Sequence, residues 1–290
     1  MRKPTVSSVN ATDAGAGSTE TAALLVSHPE RTSERVRQLD VYMRSEVLAG
    51  DRFVCRNYEA CKASSPPIFI PGQLSHVGRN YDLEDEHGSL RIVVVGQEYG
   101  SADEHVSLAD RRVAILGSAS AQFYGRNPHM KGTTSLLRLL HGRDLGDDFG
   151  GEELLDGHLF DGFALVNYLL CSALHKPRPE KPGGSGSGAS SNEMRRNCAR
   201  HFLKTLEILE PDVVIAQGIG VRGWIGGALG LPYSRDVFER VPFGSRSFDL
   251  LSFSHPSARG DLAWGKSVRL KYLQDVVRPT VAKYLAMRDG

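Results

Sequence analysis

A run of four consecutive β-branched residues, at positions 92–95, constrains the fold of this chain more than any other feature. A strand that is apolar on both faces must be covered on both sides, as in a parallel sheet packed between helices. Three further short apolar runs, at residues 163–170, 212–218 and 248–254, are separated by segments with apolar residues at helical spacing. The sequence therefore predicts an α/β fold with three layers, αβα, around a central, mostly parallel sheet of four strands.

The 290 residues are enough for one large domain, and 40% of them are hydrophobic, which supports a sizeable core. Residues 1–30 are rich in Ser, Thr, Ala and Gly, so we predict a flexible N-terminal arm there. We predict a single domain over residues 31–290, with a flexible surface insertion at residues 177–193, where Gly, Ser and Pro predominate.

Apolar residues three or four positions apart predict helices in residues 31–49 and in residues 198–211, and residues 133–140 resemble the start of another helix. The predicted core-facing residues are Val36, Leu39, Met43 and Val47 in the first segment and Phe202, Leu206 and Leu209 in the second. Helices between the apolar runs agree with the layered α/β arrangement.

The charges nearly balance, because 35 Lys and Arg against 34 Asp and Glu give a net charge of +1. This balance does not require a nucleic-acid partner, and it is compatible with a local basic groove. No apolar run approaches the roughly 18 residues of a membrane span, and the N-terminus lacks the apolar stretch of a secretory signal. We therefore expect a cytoplasmic monomer without membrane contact, whose four cysteines stay reduced unless they bind metal or do chemistry.

Polar residues follow the apolar runs, where the predicted strands end. The runs lead into GQEYG at 96–100, Asn167, AQG at 216–218 and SHPS at 254–257. Each feature alone is more often structural, since a single Asn at a strand end usually satisfies backbone groups. In an open parallel sheet, however, these ends converge on the edge where ligands bind. Together they predict a cleft that contains a carboxylate, an amide and an imidazole.

Four segments resemble motifs of the uracil-DNA glycosylase superfamily. VVVGQEYGSADE, at 93–104, resembles the strand and turn that position the hydrolytic water, and RNPHMKGTTSLLRLL, at 126–140, resembles the segment whose ring stacks on the base. FALVNYLLC, at 163–171, is similar to the strand whose Asn reads a flipped pyrimidine, and SFSHPSARG, at 252–260, to the loop whose His stabilises the departing base. The resemblance covers about residues 50–285 and implies the fold of that superfamily. It also implies a monofunctional DNA glycosylase that flips out a pyrimidine, hydrolyses its N-glycosidic bond and leaves an abasic site.

The chemistry of this bond cleavage indicates roles for the polar residues. Positive charge develops on the sugar and negative charge on the leaving base, so a carboxylate and a hydrogen-bond donor are needed. By the resemblance, His255 is the donor, and the water is oriented by Glu98 or by the acidic pair Asp103 and Glu104. The turn mixes two family patterns and leaves both possibilities open, and the acidic pair equally suits a solvated helix start.

The remaining predicted site residues fall into two groups. The resemblance implies that one group lines the base pocket: Gly96, Gln97, Tyr99, Gly100, His129 and Asn167. It implies that the other group contacts DNA: Ser257, Arg259 and Lys266. His129 stands where the family commonly has Phe, and an imidazole can also stack on a base. The structural alternatives are a surface histidine at 129 and a solvated helix face around Lys266.

The choice of base depends on the first-motif turn. Gly100 stands where strict uracil enzymes have a Tyr that excludes substituents at C5, although family-four uracil enzymes also have Gly there. Tyr99 in place of Pro and His129 in place of Phe indicate a pocket adapted to another base. The chain as a whole resembles bacterial antiphage glycosylases that remove α-glucosylated hydroxymethylcytosine from viral DNA. The alternatives are a uracil-removing repair enzyme and a catalytically silent DNA-binding protein.

The four cysteines are Cys55, Cys61, Cys171 and Cys198. They fall in the order in which family-four enzymes of this superfamily place the ligands of a [4Fe–4S] cluster, with Cys198 expected to open the helix after the Asn strand. The first two are separated by five residues rather than the two typical of that family, and the insertion lengthens the gap between the last two. Four thiolates suit an iron–sulfur cluster or zinc, and four buried free thiols are the alternative without metal. We predict the cluster, in a structural role that ties the N-terminal segment to the sheet.

Overall fold

The predicted β-branched strand lies inside the central sheet of the computed structural model. In the part of the chain that the structure describes, this sheet has six strands: β1 (His76–Val77), β2 (Ile92–Gly96), β3 (Phe163–Asn167), β4 (Val213–Gln217), β5 (Phe238–Phe243) and β6 (Arg246–Phe253). Their order across the sheet is β5-β6-β4-β2-β3-β1. The strands β6, β4, β2 and β3 run parallel, whereas β5 and β1 pair antiparallel at the two edges.

The α/β class is therefore confirmed, but the sheet is mixed and has six strands rather than the predicted four. Each predicted apolar run forms one strand, and the two additional strands have weak sequence signals. β1 has only two residues, and β5 contains Pro242, which lacks the N–H that a central strand needs. Both strands lie at edges, where short or interrupted strands are tolerated.

The structure describes residues 25–50, 52–66, 68–99, 107–145, 152–175 and 189–289. Most of the predicted arm and most of the predicted insertion lie outside these ranges. Within the predicted arm, Val26–Ser27 pairs with Leu83 and Glu84, and the first helix begins at Pro29. Ordered structure in the described ranges thus begins a few residues before the predicted boundary at residue 31.

The α-helices of the described residues are α1 (Pro29–Glu46), α2 (Tyr58–Ala63), α3 (Leu108–Ala119), α4 (Pro128–Leu140), α5 (Asn192–Leu209), α6 (Ile219–Leu229) and α7 (Arg278–Arg288). Short 3₁₀ turns occur at Phe123–Gly125, Leu159–Asp161 and Gly260–Leu262, and a π-helical turn at Leu273–Val277 leads into α7. The small strand pairs outside the central sheet are Val26–Ser27 with Leu83–Asp85, Leu83–Asp85 with Gly88–Ser89, Leu48–Ala49 with Arg52–Phe53, Ile68–Ile70 with Ser172–Leu174, and Glu153–Leu154 with Gly157–His158. Among these described helices, none has the length and apolar composition needed to cross a bilayer.

Two helices begin earlier than the sequence predicts, because capping residues precede them. Asn127 accepts a backbone N–H in the first turn of α4, and Pro128 stands at the first helical position, so this helix starts before residue 133. Ser191 caps α5 in the same way. Cys198 therefore lies in the second turn of α5 rather than opening the helix as predicted.

Alternate residues of β2 face two different apolar layers. Ile92 and Val94 belong to the layer that contains residues of α4 and α7, whereas Val93 and Val95 belong to the layer that contains residues of α1 and α5. All four side chains are fully buried. Helices therefore cover both faces of the sheet, as a strand without a polar face requires.

Candidate functional site

Three residues lie side by side where the parallel strands end: Asn167 on β3, Gly96 on β2 and Gln217 on β4. Asn167 pairs with Gly96, and Ala216 pairs with Val95, so Gln217 continues the same row. Residues in one row of a parallel sheet point to the same face, which here is the face covered by α4. Because Gly96 has no side chain, a notch separates the amides of Asn167 and Gln217.

His129, in the first turn of α4, closes this notch. A methyl group on Gly96 would lie 3.8 Å from His129 Nε2 and 3.9 Å from Asn167 Oδ1. Asn167 is only 4% exposed, and its Nδ2 has no hydrogen-bond partner among the described residues. A buried amide without a partner costs free energy, which a ligand could recover by bonding to it. A planar ligand can enter the notch only if the ring of His129 moves away from Gly96.

His255 follows the end of β6 and lies beside His129. Their ring centroids are 5.6 Å apart, with the planes inclined by 33°. The backbone N–H of Ser257 donates to Nδ1 of His255 at 3.2 Å, and Ser257 Oγ lies 2.7 Å from the same nitrogen. Because a backbone N–H can only donate, Nδ1 is the acceptor, and Nε2 of the neutral ring carries the proton. Ser257 thus leaves His255 one donor, its Nε2–H.

Both imidazoles are held in the neutral form. Burial, with smaller contributions from the nearby His255 and Arg111, lowers the pKa of His129 to about 3. Enclosure of the ring also lowers the pKa of His255, although part of this residue is exposed to solvent. Two neutral rings can lie close together without charge repulsion, which two protonated rings could not do.

The loop after β6 packs closely against the first turns of α4. Trp264 is fully buried and donates its Nε1–H to the carbonyl of Ser254 at 2.7 Å. A Cβ atom at Gly132 or at Gly265 would come within 2.7 Å of Pro256. A side chain at either glycine would therefore push the loop from the helix and separate the two histidines. Sequence reasoning did not single out these glycines, because the contact that requires them is tertiary.

The polar side chains of the turn after β2 are engaged in contacts within the protein. Glu98 accepts the backbone N–H of Ala173 at 2.9 Å and the Nε2–H of Gln97 at 2.9 Å. Burial raises the pKa of Glu98 to about 7, despite the opposing effect of these two bonds. Tyr99 lies under the guanidinium of Arg111, which is 3.8 Å from the ring centre. Glu98 is thus tied to the segment that follows β3, and each of its oxygens already has a donor.

Some predicted site residues lie outside the described ranges: Gly100, Asp103 and Glu104. Arg259 and Lys266 are exposed in the segment after the histidine loop, where they are open to a partner. Ser257, predicted to contact DNA, is exposed as well, but its hydroxyl lies against the ring of His255.

Two buried polar residues of the site, Gln217 and Arg111, are not among the predicted site residues, although the AQG segment was predicted to end at the cleft. Gln217 is fully buried, and its position at the end of an apolar run was the available signal. Arg111 is 6% exposed, and no carboxylate of the described residues pairs with it. Its stacking on Tyr99 depends on how α3 packs, which the sequence did not indicate.

The four cysteines line one cavity, whose walls also include Phe53, Tyr58 and Leu170. Cys61, Cys171 and Cys198 are buried, and Cys55 is partly exposed. Segments far apart in the sequence are thus brought together around these four residues. As positioned, no group of three His, Cys, Asp or Glu side chains in the described ranges could hold a metal ion.

The surroundings of these thiols favour their protonated form when no metal is bound. Burial raises the pKa of Cys61 and of Cys171, and it raises the pKa of Cys198 to about 12. Neighbouring cysteines contribute to each of these increases in pKa. Asn197 and His201 also line the cavity, and His201 Nε2 lies 3.7 Å from Cys55 Sγ. Four sulfur donors in one cavity fit an iron–sulfur cluster or a zinc ion. Because only thiolates bind these metals, binding would release protons.

Comparison with known proteins does not identify a family for this chain. No protein-family model matches the sequence, and no curated protein matches it. Assignment to a family therefore depends on the motifs and on the geometry of the site.

Proposed function

We propose that this chain is a DNA glycosylase of the uracil-DNA glycosylase type, with the three-layer fold of that superfamily, that removes a pyrimidine modified at C5. The observation that carries this proposal is that Asn167 and His129 meet at Gly96, at the carboxyl edge of the parallel strands, and that His255 lies beside His129. An amide, a stackable ring and an imidazole donor are the groups needed to hold a flipped base and stabilise it as it leaves.

The base-binding step uses the notch between the strand ends. A pyrimidine entering there would displace the ring of His129 from Gly96 and stack on it. The amide of Asn167, which has an unpaired Nδ2, would then bond to the polar edge of the base. Satisfying this buried group offsets part of the cost of extruding the nucleotide from the duplex.

His255 acts in the bond-breaking step. As the glycosidic bond stretches, negative charge accumulates on the base, and the Nε2–H of His255 donates to a carbonyl oxygen that carries it. This bond is stronger in the transition state than in the ground state, so it raises turnover more than binding. The hydrogen bond from Ser257 N–H to Nδ1 keeps the proton on Nε2, where the reaction needs it.

Water completes the reaction by attacking the sugar carbon, with a carboxylate nearby to orient it and offset positive charge. Glu98 is the weaker candidate, because its two oxygens already accept bonds from Ala173 and Gln97. The alternative is the pair Asp103 and Glu104. Arg259 and Lys266, both exposed, would contact phosphates on the flanking DNA.

Cys55, Cys61, Cys171 and Cys198 would hold a [4Fe–4S] cluster, with zinc as the alternative metal. When bound, the cluster would supply a covalent cross-link between segments of the chain rather than a redox step. Its ligands would join the segment before α2, α2 itself, the segment after β3 and the second turn of α5. The residues of the base pocket act without it.

The inference of a C5-modified base rests on the first-motif turn. The sequence has Gly at position 100, where a Tyr would exclude C5 substituents, and Tyr99 and the buried Arg111 stack beside this turn. A glycine in the sequence next to Tyr99, together with the donors of the buried Arg111 that stacks on this ring, suits a polyhydroxylated substituent such as the glucose on α-glucosyl-hydroxymethylcytosine. Removal of such bases from viral DNA would serve antiphage defence.

A single-turnover assay tests the proposal. Purified protein is incubated with oligonucleotides that contain uracil or unmodified cytosine, and with phage DNA that contains glucosylated cytosine, and abasic sites are detected by alkaline cleavage. We expect abasic sites in the phage DNA and a loss of about 10²–10³ in rate for His255→Ala. Abasic sites only at uracil would indicate a repair enzyme, and binding without cleavage of any DNA would indicate a silent member.

A further inference from the structure

Gln217 has a buried polar atom that the proposed mechanism does not use. The residue is fully buried at the end of β4, next to Gly96 in the row that also contains Asn167. Its Oε1 has no hydrogen-bond partner among the described residues. Leaving a carbonyl oxygen buried and unpaired costs stability, so this position calls for a partner that the ligand-free chain does not supply.

The hydrogen bonds around Gln217 fix which atom of its amide is free. The hydroxyl of Thr133 donates its only proton to the carbonyl of His129, at an O···O distance of 3.0 Å. The hydroxyl oxygen must therefore accept the bond to Gln217, which is 3.1 Å long, so the amide nitrogen faces Thr133. Oε1 is the acceptor that remains, and it lies on the face of the sheet that the notch occupies.

We propose that Gln217 is a further specificity-determining residue, whose Oε1 accepts a hydrogen bond from an N–H or O–H donor on the bound pyrimidine. This inference rests on the proposed function, because it takes the notch at Gly96 as the base pocket. Asn167 would bond to one side of the base and Gln217 to the other. A pyrimidine with a carbonyl in place of the donor would leave two oxygens facing each other without a proton.

Two groups on a modified cytosine could be the donor. The 4-amino group distinguishes cytosine from uracil, which has a carbonyl there, and a hydroxyl carried at C5 distinguishes hydroxymethylated bases from methylated ones. The binding of three bases distinguishes these two possible donors. Thymine is the reference. 5-Methylcytosine has a 4-amino group and an unprotonated N3 in place of the 4-carbonyl and N3–H of thymine, and 5-hydroxymethyluracil differs from thymine only by the hydroxyl.

The experiment measures binding rather than cleavage. Each base is placed in DNA opposite an abasic analogue, on a 2′-fluoro-arabino sugar that resists hydrolysis, and the dissociation constant is measured for the full-length protein. We expect at least one of the two donor-bearing bases to bind about tenfold or more tightly than thymine. Gln217→Met, which keeps the size but not the acceptor, should bring all three within about twofold of one another. Gln38→Met, at an exposed position on α1, is the matched control and should retain the preference.

Equal binding of the three bases by the wild type, or a preference that survives in Gln217→Met, would overturn the inference. If Gln217→Met does not fold, Thr133→Val removes the group that orients the amide, and it should weaken the same preference. The hydrolysable substrates separate this inference from the proposed function. The wild type could prefer the donor-bearing bases, lose this preference in Gln217→Met, and still excise no base. That result would support the role of Gln217 and contradict the glycosylase activity.

Discussion

At the scale of single residues, the proposed chemistry depends on the protonation of His255. Its Nδ1 accepts the N–H of Ser257, so the ring can donate through Nε2 to a leaving base while it is neutral. Protonation would remove this acceptor and leave the Ser257 N–H facing another N–H. Enclosure lowers the pKa of His255 below its ordinary value of 6.5, so the neutral form predominates at neutral pH and is lost in acid.

We therefore expect the single-turnover rate of excision to be independent of pH above about 6.5 and to fall as the pH drops through the lowered pKa of His255. Ser257→Ala removes the hydroxyl next to Nδ1 but keeps the N–H, so it should move the acid limb to higher pH. Quenched time courses over a pH series measure both effects. An acid limb at the same pH in Ser257→Ala would contradict this role of Ser257.

Gly96 offers a second test at the residue scale. A methyl group there meets His129 and Asn167 at ordinary contact distances, so Gly96→Ala should leave the unfolding temperature nearly unchanged. The methyl would nevertheless occupy the space into which the base must move, and excision should fall about tenfold or more. Gly117→Ala, at an exposed position on α3 without neighbours, is the control and should leave excision intact. Normal excision by Gly96→Ala would mean that the base binds elsewhere.

At the scale of structural elements, Glu98 links the turn after β2 to the strand Ser172–Leu174. Its pKa is raised by burial to about 7, so the folded state binds a proton more tightly than the unfolded chain does. This contribution to stability is complete below the unfolded pKa of about 4.5, and it is lost as the pH rises through about 7.

Glu98→Gln removes this titration, so the wild type should lose stability relative to the variant as the pH rises from about 4.5 to about 7. Denaturant unfolding of both proteins at several pH values measures the difference. If the free energies of unfolding of the two proteins change in parallel with pH, the pKa of Glu98 is not raised in the folded state. The excision rate of the same variant tests whether Glu98 orients the hydrolytic water. If Glu98→Gln leaves this rate unchanged and Asp103→Asn lowers it, the acidic pair orients the water.

The cysteine cavity joins α2, the segment after β3 and α5. We expect the purified protein to be brown and to contain iron, and we expect Cys171→Ala to lose both the colour and much of its stability. Leu170→Ala is the matched control, because it removes packing in the same cavity, at a cost of about 2–5 kcal/mol, without removing a ligand. It should be less stable yet still contain iron. Colourless wild-type protein with one zinc per chain would contradict the cluster but not the four-cysteine site.

The elements also show why part of the site could be predicted and part could not. Local patterns predicted β2, β3, β4 and β6, and the polar residues that end these strands included Asn167 and His255. The register between strands, however, is tertiary information. It decides that Gln217 stands next to Gly96, and it could not be read from the AQG segment alone. In the same way, the bond from Ala173 to Glu98 depends on how distant segments pack.

At the scale of the whole molecule, helices on both faces hold four parallel strands so that their carboxyl ends share one edge. The proposed site is assembled there from residues that are far apart in sequence, and the cysteine cavity joins other distant segments of the chain. With a net charge of only +1, the protein as a whole has no strong attraction for DNA. In the proposed function, DNA binding would therefore rely on local contacts such as Arg259 and on capture of the flipped base.

The most direct test of the central claim is to identify the released base by mass spectrometry. Phage DNA that contains α-glucosyl-hydroxymethylcytosine is incubated with the wild type and with His255→Ala under single-turnover conditions, and free bases and abasic sites are counted. We predict release of the intact glucosylated base, an equal number of abasic sites, and a rate about 10²–10³ lower for the variant. Folded wild-type protein that releases no base from this DNA or from uracil-containing DNA would contradict the account.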